Sequence, residues 1–140
     1  MRVVLAVLVA AWLAALTFYD LRERRLPNVL TLPGAVLILT VAAGTGRGLP
    51  ALAGGCALAA GYLLVHLVSP AGMGAGDVKL AIGVGALAGV FGAGAWLLAA
   101  LGAPVLTAVW GVAARRRVLP HGPSMCLSTA AALTLAISAR

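Results

Sequence analysis

The longest uncharged stretch of the chain, Leu80–Ala114, covers 35 residues. As a single helix it would be about 52 Å long, because each helical residue adds about 1.5 Å. The hydrocarbon core of a bilayer is only about 30 Å thick. The stretch therefore has to turn, and we expect the turn in the glycine-rich segment Gly89–Gly94, since glycine favours breaks in helices.

The composition indicates that this stretch belongs to a membrane protein. Hydrophobic residues make up 63% of the 140 residues and charged residues only 9%, whereas soluble domains average about 25% charged residues. So few charges cannot cover the surface of a soluble protein, which excludes a soluble enzyme, a disordered tail and a nucleic-acid-binding module. We expect one domain over residues 1–140. Its net charge of +7 fits basic loops that contact anionic lipid headgroups.

Six apolar segments predict an all-α, polytopic membrane protein, a bundle of about six transmembrane helices. The predicted spans are Val3–Tyr19, Val29–Ala43, Leu49–Val68, a short fourth segment from Leu80 to the glycine-rich turn, Ala95–Val112 and Ser124–Ser138. Loops then alternate between the two sides of the membrane.

The basic residues are distributed unequally between those two sides. Seven lie on one side, namely Arg22, Arg24, Arg25, Lys79, Arg115, Arg116 and Arg117, and three on the other, namely Arg2, Arg47 and Arg140. Loops rich in Lys and Arg stay in the cytoplasm. The pattern therefore predicts that the side with seven is cytoplasmic and that both termini face outward.

All three acids lie on the predicted cytoplasmic side. Asp20 follows the first span, Asp77 lies at the entry to the fourth, and Glu23 lies in a basic cluster. An ionisable group at the end of a membrane helix is costly to desolvate and is often functional. The alternative for each acid is an interfacial charge that is solvated or paired with an arginine, and this alternative suits Glu23 best.

The glycines before Asp77 favour a functional role for that acid. Gly72, Gly74 and Gly76 would let a second helix, carrying a second acid, approach Asp77 closely. Two neighbouring carboxyls share one proton and titrate as a pair. The ionised member can take a proton from water while the protonated member polarises a carbonyl. Such a pair would hydrolyse a peptide without a metal or cofactor, but the sequence leaves open whether Asp20 meets Asp77.

The remaining polar and aromatic residues favour structural roles. His66 and His121 lack partners at a spacing typical of metal sites, so we expect interfacial or packing histidines. Lys79 either extends to the interface or tunes Asp77 electrostatically. The aromatic residues are expected to face lipid or the interface; they are Trp12, Trp96, Trp110, Tyr19 and Tyr62.

Two elements in this order resemble the type IV prepilin peptidases, including their preflagellin and Flp/Tad-type relatives. The first is Asp20-x6-Pro27-Asn28, and the second is Gly74-Ala-Gly76-Asp77-Val-Lys79. The turn His121-Gly122-Pro123-Ser124 is similar to that family's Pro-Phe-Gly-Pro turn, with histidine in place of the aromatic residue.

The resemblance implies an aspartic endopeptidase of the inner (plasma) membrane. Asp20 and Asp77 would be its catalytic pair, supported by the motif residues Pro27, Asn28, Gly74, Gly76 and Lys79. Its substrate would be a prepilin or pseudopilin whose leader is cut at the cytoplasmic face, without metal or cofactor. Larger members also carry an inserted domain with paired cysteines and methylate the new N-terminus. This chain lacks that insertion, so we expect peptidase activity alone.

Two other classes of function remain open from the sequence. The chain could be a non-enzymatic scaffold subunit with two incidental interfacial acids, or a small ion-coupled transporter that uses Asp77. The transporter is disfavoured because its acid should lie near the middle of the membrane. The identity of the prepilin, the cleavage position, the protonated member of the pair and the oligomeric state stay open.

Overall fold

The computed structural model describes residues 1–139, and over that range it contains six α-helices and no β-strand. The helices are α1 (Arg2–Glu23), α2 (Asn28–Gly44), α3 (Gly48–Val68), α4 (Ala75–Val90), α5 (Ala93–Ala114) and α6 (Gly122–Ser138). The all-α prediction is confirmed. Arg140, one of the three basic residues assigned to the outer side, lies outside the described residues.

The helices extend beyond the apolar segments that predicted them, and two of these extensions contain the acids. Helix α1 continues past Tyr19 to Glu23, so Asp20 lies in its last turn. Helix α4 begins at Ala75, so Asp77 lies in its first turn and precedes the uncharged stretch from Leu80. Hydropathy marks the residues that can lie in hydrocarbon, whereas backbone hydrogen bonding continues into the polar residues on either side.

The predicted turn between α4 and α5 is confirmed. Helix α4 ends at Val90 and α5 begins at Ala93. Gly92 has φ of 104°, a left-handed conformation that only glycine adopts readily.

Helix α4 forms the centre of the bundle. It packs against α2, α3, α5 and α6, and most of its residues from Leu80 to Gly89 are buried. A Cβ atom on Gly85 would lie 2.6 Å from the carbonyl oxygen of Gly54. The α3 and α4 backbones are therefore in contact, which is how small residues allow helices to associate in membranes.

The outer surface of the bundle is apolar. Helices α1, α3 and α5 are long and apolar enough to cross a bilayer, and α2 and α6 are shorter apolar helices. Large hydrophobic side chains such as Leu37, Leu101 and Leu127 are more than half exposed. A surface of this kind requires lipid around it, so the chain is a membrane protein.

Contrary to the prediction that they face lipid or the interface, three aromatic residues contact other helices inside the bundle. Tyr62 is buried. Trp12 is half-buried and donates to the carbonyl of Leu30 over 2.8 Å, and half-buried Trp96 donates to that of Gly54 over 2.9 Å. Indole N–H groups need such acceptors when they leave water.

Candidate functional site

Asp20 is buried where α1 meets α6, with only 6% of its surface exposed. Its Oδ2 atom accepts a 2.9 Å hydrogen bond from the backbone N–H of Gly122, the first residue of α6. A carboxylate is disfavoured at the C-terminal end of its own helix but favoured at the N-terminus of another. Helix α6 therefore compensates for the unfavourable position of Asp20 on α1.

Asp77 is the third residue of α4 and is 9% exposed. Its carboxyl group accepts a hydrogen bond from the backbone of Gly74, the residue that caps this helix. An acidic side chain at this position characteristically reaches back to the cap N–H. The acid is thus held at the end of α4 by the loop that contains the glycine motif.

The structure brings Asp20 and Asp77 to the same cavity, although 57 positions separate them in the sequence. This cavity has a volume of about 840 Å³. It lies between the end of α1, the α3–α4 loop, the end of α5 and the α5–α6 loop. These segments therefore lie at one end of the bundle, as the alternation of spans predicts.

Burial makes the charged form of Asp77 unfavourable. Burial raises the pKa of Asp77 from 3.8 to about 6, and the negative charge of Asp20 contributes in the same direction. The hydrogen bond from Gly74 has the opposite, smaller effect. Because the charge of Asp20 contributes to this shift, the two acids interact electrostatically. Asp77, which precedes the apolar part of α4, therefore holds its proton to a higher pH than an exposed aspartate does.

Leu26 and Asn28, the residues on either side of Pro27, contact the start of α4. The Lys79 ammonium donates a 2.9 Å hydrogen bond to the side-chain oxygen of Asn28. A Cβ atom on Gly76 would lie 3.3 Å from the Cβ atom of Leu26. Lys79 thus has a role that neither sequence alternative included: it joins the first residue of α2 to α4.

Only one of the two motif glycines is needed for close packing. Gly76 lies directly against Leu26, whereas a Cβ atom on Gly74 would make only an ordinary contact, 3.7 Å from Oδ2 of Asp77. The sequence predicts that a second helix with its own acid packs at these glycines; the segment that lies against Gly76 is instead the α1–α2 loop.

A hydrogen-bonded group beside the acids was not predicted from the sequence. His121 lines the cavity; its Nε2 atom lies 2.8 Å from the Tyr62 hydroxyl, and its Nδ1 atom lies 2.7 Å from the Thr107 hydroxyl. Burial lowers the pKa of His121, which favours the neutral imidazole. A tyrosine inside an apolar span was the available signal, because a buried hydroxyl needs a polar partner.

Among residues 1–139, four arginines line the same cavity: Arg24, Arg115, Arg116 and Arg117. Arg24 and Arg115 end α1 and α5 in left-handed conformations, with φ of 50° and 52°. His66 contacts the α3–α4 loop, with Nδ1 2.6 Å from the carbonyl oxygen of Met73. Within residues 1–139, no three His, Cys, Asp or Glu side chains are grouped as a metal site requires.

The fold and the site together define a helical membrane protein with two buried carboxyl groups at one cavity. A model of the type IV leader peptidase family matches residues 7–112, and the chain belongs to that family. The family is one of proteases. The matched residues include Asp20, Pro27, Asn28 and the Gly74–Lys79 motif, and they end before the turn that contains His121 and Gly122. No curated protein and no solved structure matches the chain significantly.

Proposed function

We propose that the chain is a multi-pass aspartic endopeptidase that removes the leader of type IV prepilins or pseudopilins at the cytoplasmic face of the membrane. The observation that carries this proposal is that Asp20 and Asp77, both buried, line one cavity at a single end of the bundle. Family membership supports the reaction class.

Each acid has a distinct role in the proposed reaction. A water molecule between the two carboxyls loses a proton to ionised Asp20, and its oxygen attacks the scissile carbonyl carbon. Protonated Asp77 gives its proton to the carbonyl oxygen, which forms a neutral diol. In the second step Asp77 takes a proton back from the diol, and Asp20 gives its proton to the leaving nitrogen as the C–N bond breaks. Each such proton transfer contributes about 10²–10⁴ in rate.

The surroundings of the two acids support this assignment. Burial raises the pKa of Asp20, and the Gly122 N–H, which donates to its carboxyl group, opposes that rise because such a donor favours the ionised form. Burial and the charge of Asp20 favour the protonated form of Asp77. Burial acts on both acids, but the charge of one carboxylate favours the proton on the other, and the Gly122 donor favours Asp20 as the ionised member of the pair.

The distribution of basic residues supports a cytoplasmic site. The end of the bundle that holds the cavity also holds Arg24 and Arg115–Arg117, and basic loops stay in the cytoplasm. We propose that all six helices cross the membrane with α4 shielded by its neighbours, and that both termini face outward. The arginines would contact anionic headgroups beside the site.

The connection between α1 and α2 supports peptidase activity without methylation. Helix α1 ends at Glu23 and α2 begins at Asn28, so only residues 24–27 join them. These few residues leave no room at this place for the cysteine-paired domain of the bifunctional enzymes.

Co-expression with candidate prepilins tests the proposal. Wild-type protein should shorten its substrate by the mass of the leader, while Asp20→Asn and Asp77→Asn should insert into the membrane but leave the substrate intact. Glu23→Gln is the matched control because this acid is exposed and lies outside the cavity; it should process the substrate normally. Wild-type processing by either aspartate variant would refute the assignment of that residue.

A further inference from the structure

We propose that His121 is a positioning residue, which holds the N-terminus of α6 so that the N–H of Gly122 stays directed at Asp20. This inference rests on the proposed function, because it assigns a role within that same site. It concerns a turn that lies beyond the residues matched by the family model.

His121 controls the start of α6 because it is the cap residue of that helix. Gly122, the next residue, donates to Asp20, and Pro123 has no N–H to donate. The carbonyl of His121 accepts the N–H of Met125 over 3.1 Å, which closes the first turn. A shift of the His121 backbone would therefore move the one donor that reaches Asp20 from this turn.

The His121 ring is fixed from two other helices. Tyr62 on α3 contacts Nε2, and Thr107 on α5 contacts Nδ1, at 2.8 and 2.7 Å. The Tyr62 ring also packs beside the imidazole, with ring centres 5.5 Å apart. The ring therefore ties the α6 terminus to α3 and α5, while Gly122 ties it to α1.

Histidine suits these two hydroxyl partners. A neutral imidazole carries one donor and one acceptor nitrogen, and a hydroxyl group can donate or accept. Both hydrogen bonds can therefore form on the uncharged ring. Phenylalanine could pack against Tyr62 but would leave the two hydroxyls without their partner, so His121→Phe removes the proposed anchor while keeping an aromatic ring.

Enzyme kinetics on the full-length protein in lipid nanodiscs provide the first test. His121→Phe should lower kcat by about 10- to 100-fold, since a small displacement of a catalytic group has effects of this size. KM for the prepilin should stay within about twofold, because His121 positions Asp20 and does not hold the ground-state substrate. Unchanged kcat, or a loss confined to KM, would overturn the proposal.

Single-hydroxyl variants test the same anchor with less change to the fold. Tyr62→Phe and Thr107→Val should each lower kcat, and by less than His121→Phe because one bond remains. His121→Gln should recover part of the activity, since its amide extends to the position of Nε2. The matched controls are Tyr19→Phe and Thr134→Val, on exposed residues outside the cavity, and both should match wild type. Equal rates in the controls and in both hydroxyl variants would count against the anchor.

A spectroscopic test does not depend on proteolysis. In protein labelled with ¹⁵N-glycine, the Gly122 amide signal should move in Asp20→Asn, which removes the charged acceptor. It should move in the same direction in His121→Phe. A Gly122 signal that responds to Asp20→Asn but not to His121→Phe would overturn the positioning role. If the wild type cut no prepilin, the proposed function would fail and this measurement would still decide the role of His121.

Discussion

The backbone N–H of Gly122 donates a 2.9 Å hydrogen bond to the side chain of Asp20, across 102 positions of sequence. This contact joins the start of α6 to the end of α1 beside the cavity. It also leaves no room for a side chain at position 122, since a Cβ atom there would overlap the Asp20 carboxyl group.

Gly122→Ala should therefore inactivate the protein without unfolding it. The added methyl group would push the Asp20 carboxyl out of place, and we expect a loss of about 100-fold in kcat, as for small misplacements of reacting groups. The measurement is initial cleavage rate at saturating prepilin. Gly61→Ala is the control, because no atom lies within 4 Å of a Cβ atom at that helical position. Normal activity of Gly122→Ala would show that this contact is dispensable.

The hydrogen bond from Lys79 to Asn28 should couple the two sequence elements energetically. Lys79→Met keeps the aliphatic stem but removes the donor, and Asn28→Ala removes the acceptor. Each should lower activity by less than about tenfold, as for loss of one accessible hydrogen bond. In a double-mutant cycle the combined variant should be little worse than either single one. Additive effects would mean that the two side chains act independently.

The raised pKa of Asp77 should make the protein less stable as pH rises. The folded chain binds this proton more tightly than the unfolded chain, because the pKa is about 6 against 3.8. The free energy of unfolding should therefore fall between about pH 4 and pH 6 and stay low above that range. Asp77→Asn removes the cost of the buried charge, on the order of 1–3 kcal/mol at 1.4 kcal/mol per pKa unit.

Thermal unfolding in detergent checks this expectation. Asp77→Asn should have a higher Tm than wild type at pH 7.5, and the difference should shrink at pH 4. Glu23→Gln, on an exposed side chain, should follow wild type at both values. A wild-type Tm that rises steadily from pH 4 to pH 7 relative to Asp77→Asn would contradict the assigned direction.

The same pKa sets the expected pH profile of cleavage. In the proposed mechanism Asp77 must hold a proton, and its pKa is about 6. Above that value the protonated fraction falls about tenfold per pH unit, so kcat/KM should decline from pH 6 to pH 8. The check is a rate profile with a peptide or prepilin whose own groups do not titrate in this range. A rate that rises through this interval would assign the proton donor elsewhere.

The sequence predicts the helices well because lipid leaves the backbone few alternatives. Unpaired N–H and C=O groups are too costly in hydrocarbon, so each apolar segment forms a helix. The turn near Gly92 was likewise predictable, since an uncharged stretch of that length cannot cross the bilayer once. The ends of α1 and α4 were not, because Asp20 and Asp77 extend these helices beyond the apolar residues.

The contacts around the candidate site could not be predicted in the same way. Tyr62, Thr107 and His121 come from three separate segments, and their encounter depends on how the helices pack. That packing follows from small residues such as Gly54 and Gly85, and hydropathy does not indicate which side of a helix packs through them. The motifs in the sequence single out Asp20 and Asp77 as the acids of the site. The Gly122 donor to Asp20 depends on how α6 packs against α1, which the sequence does not indicate.

The most direct measurement is cleavage of a purified prepilin by the purified chain in anionic liposomes, followed by the masses of both products. Wild type and Glu23→Gln should each yield a leader peptide and a shortened pilin. Asp20→Asn and Asp77→Asn should each reduce the rate by at least about 10²–10⁴-fold, the contribution of one acid–base group. Cleavage by either aspartate variant at the wild-type rate would show that these two carboxyls do not together activate one water molecule.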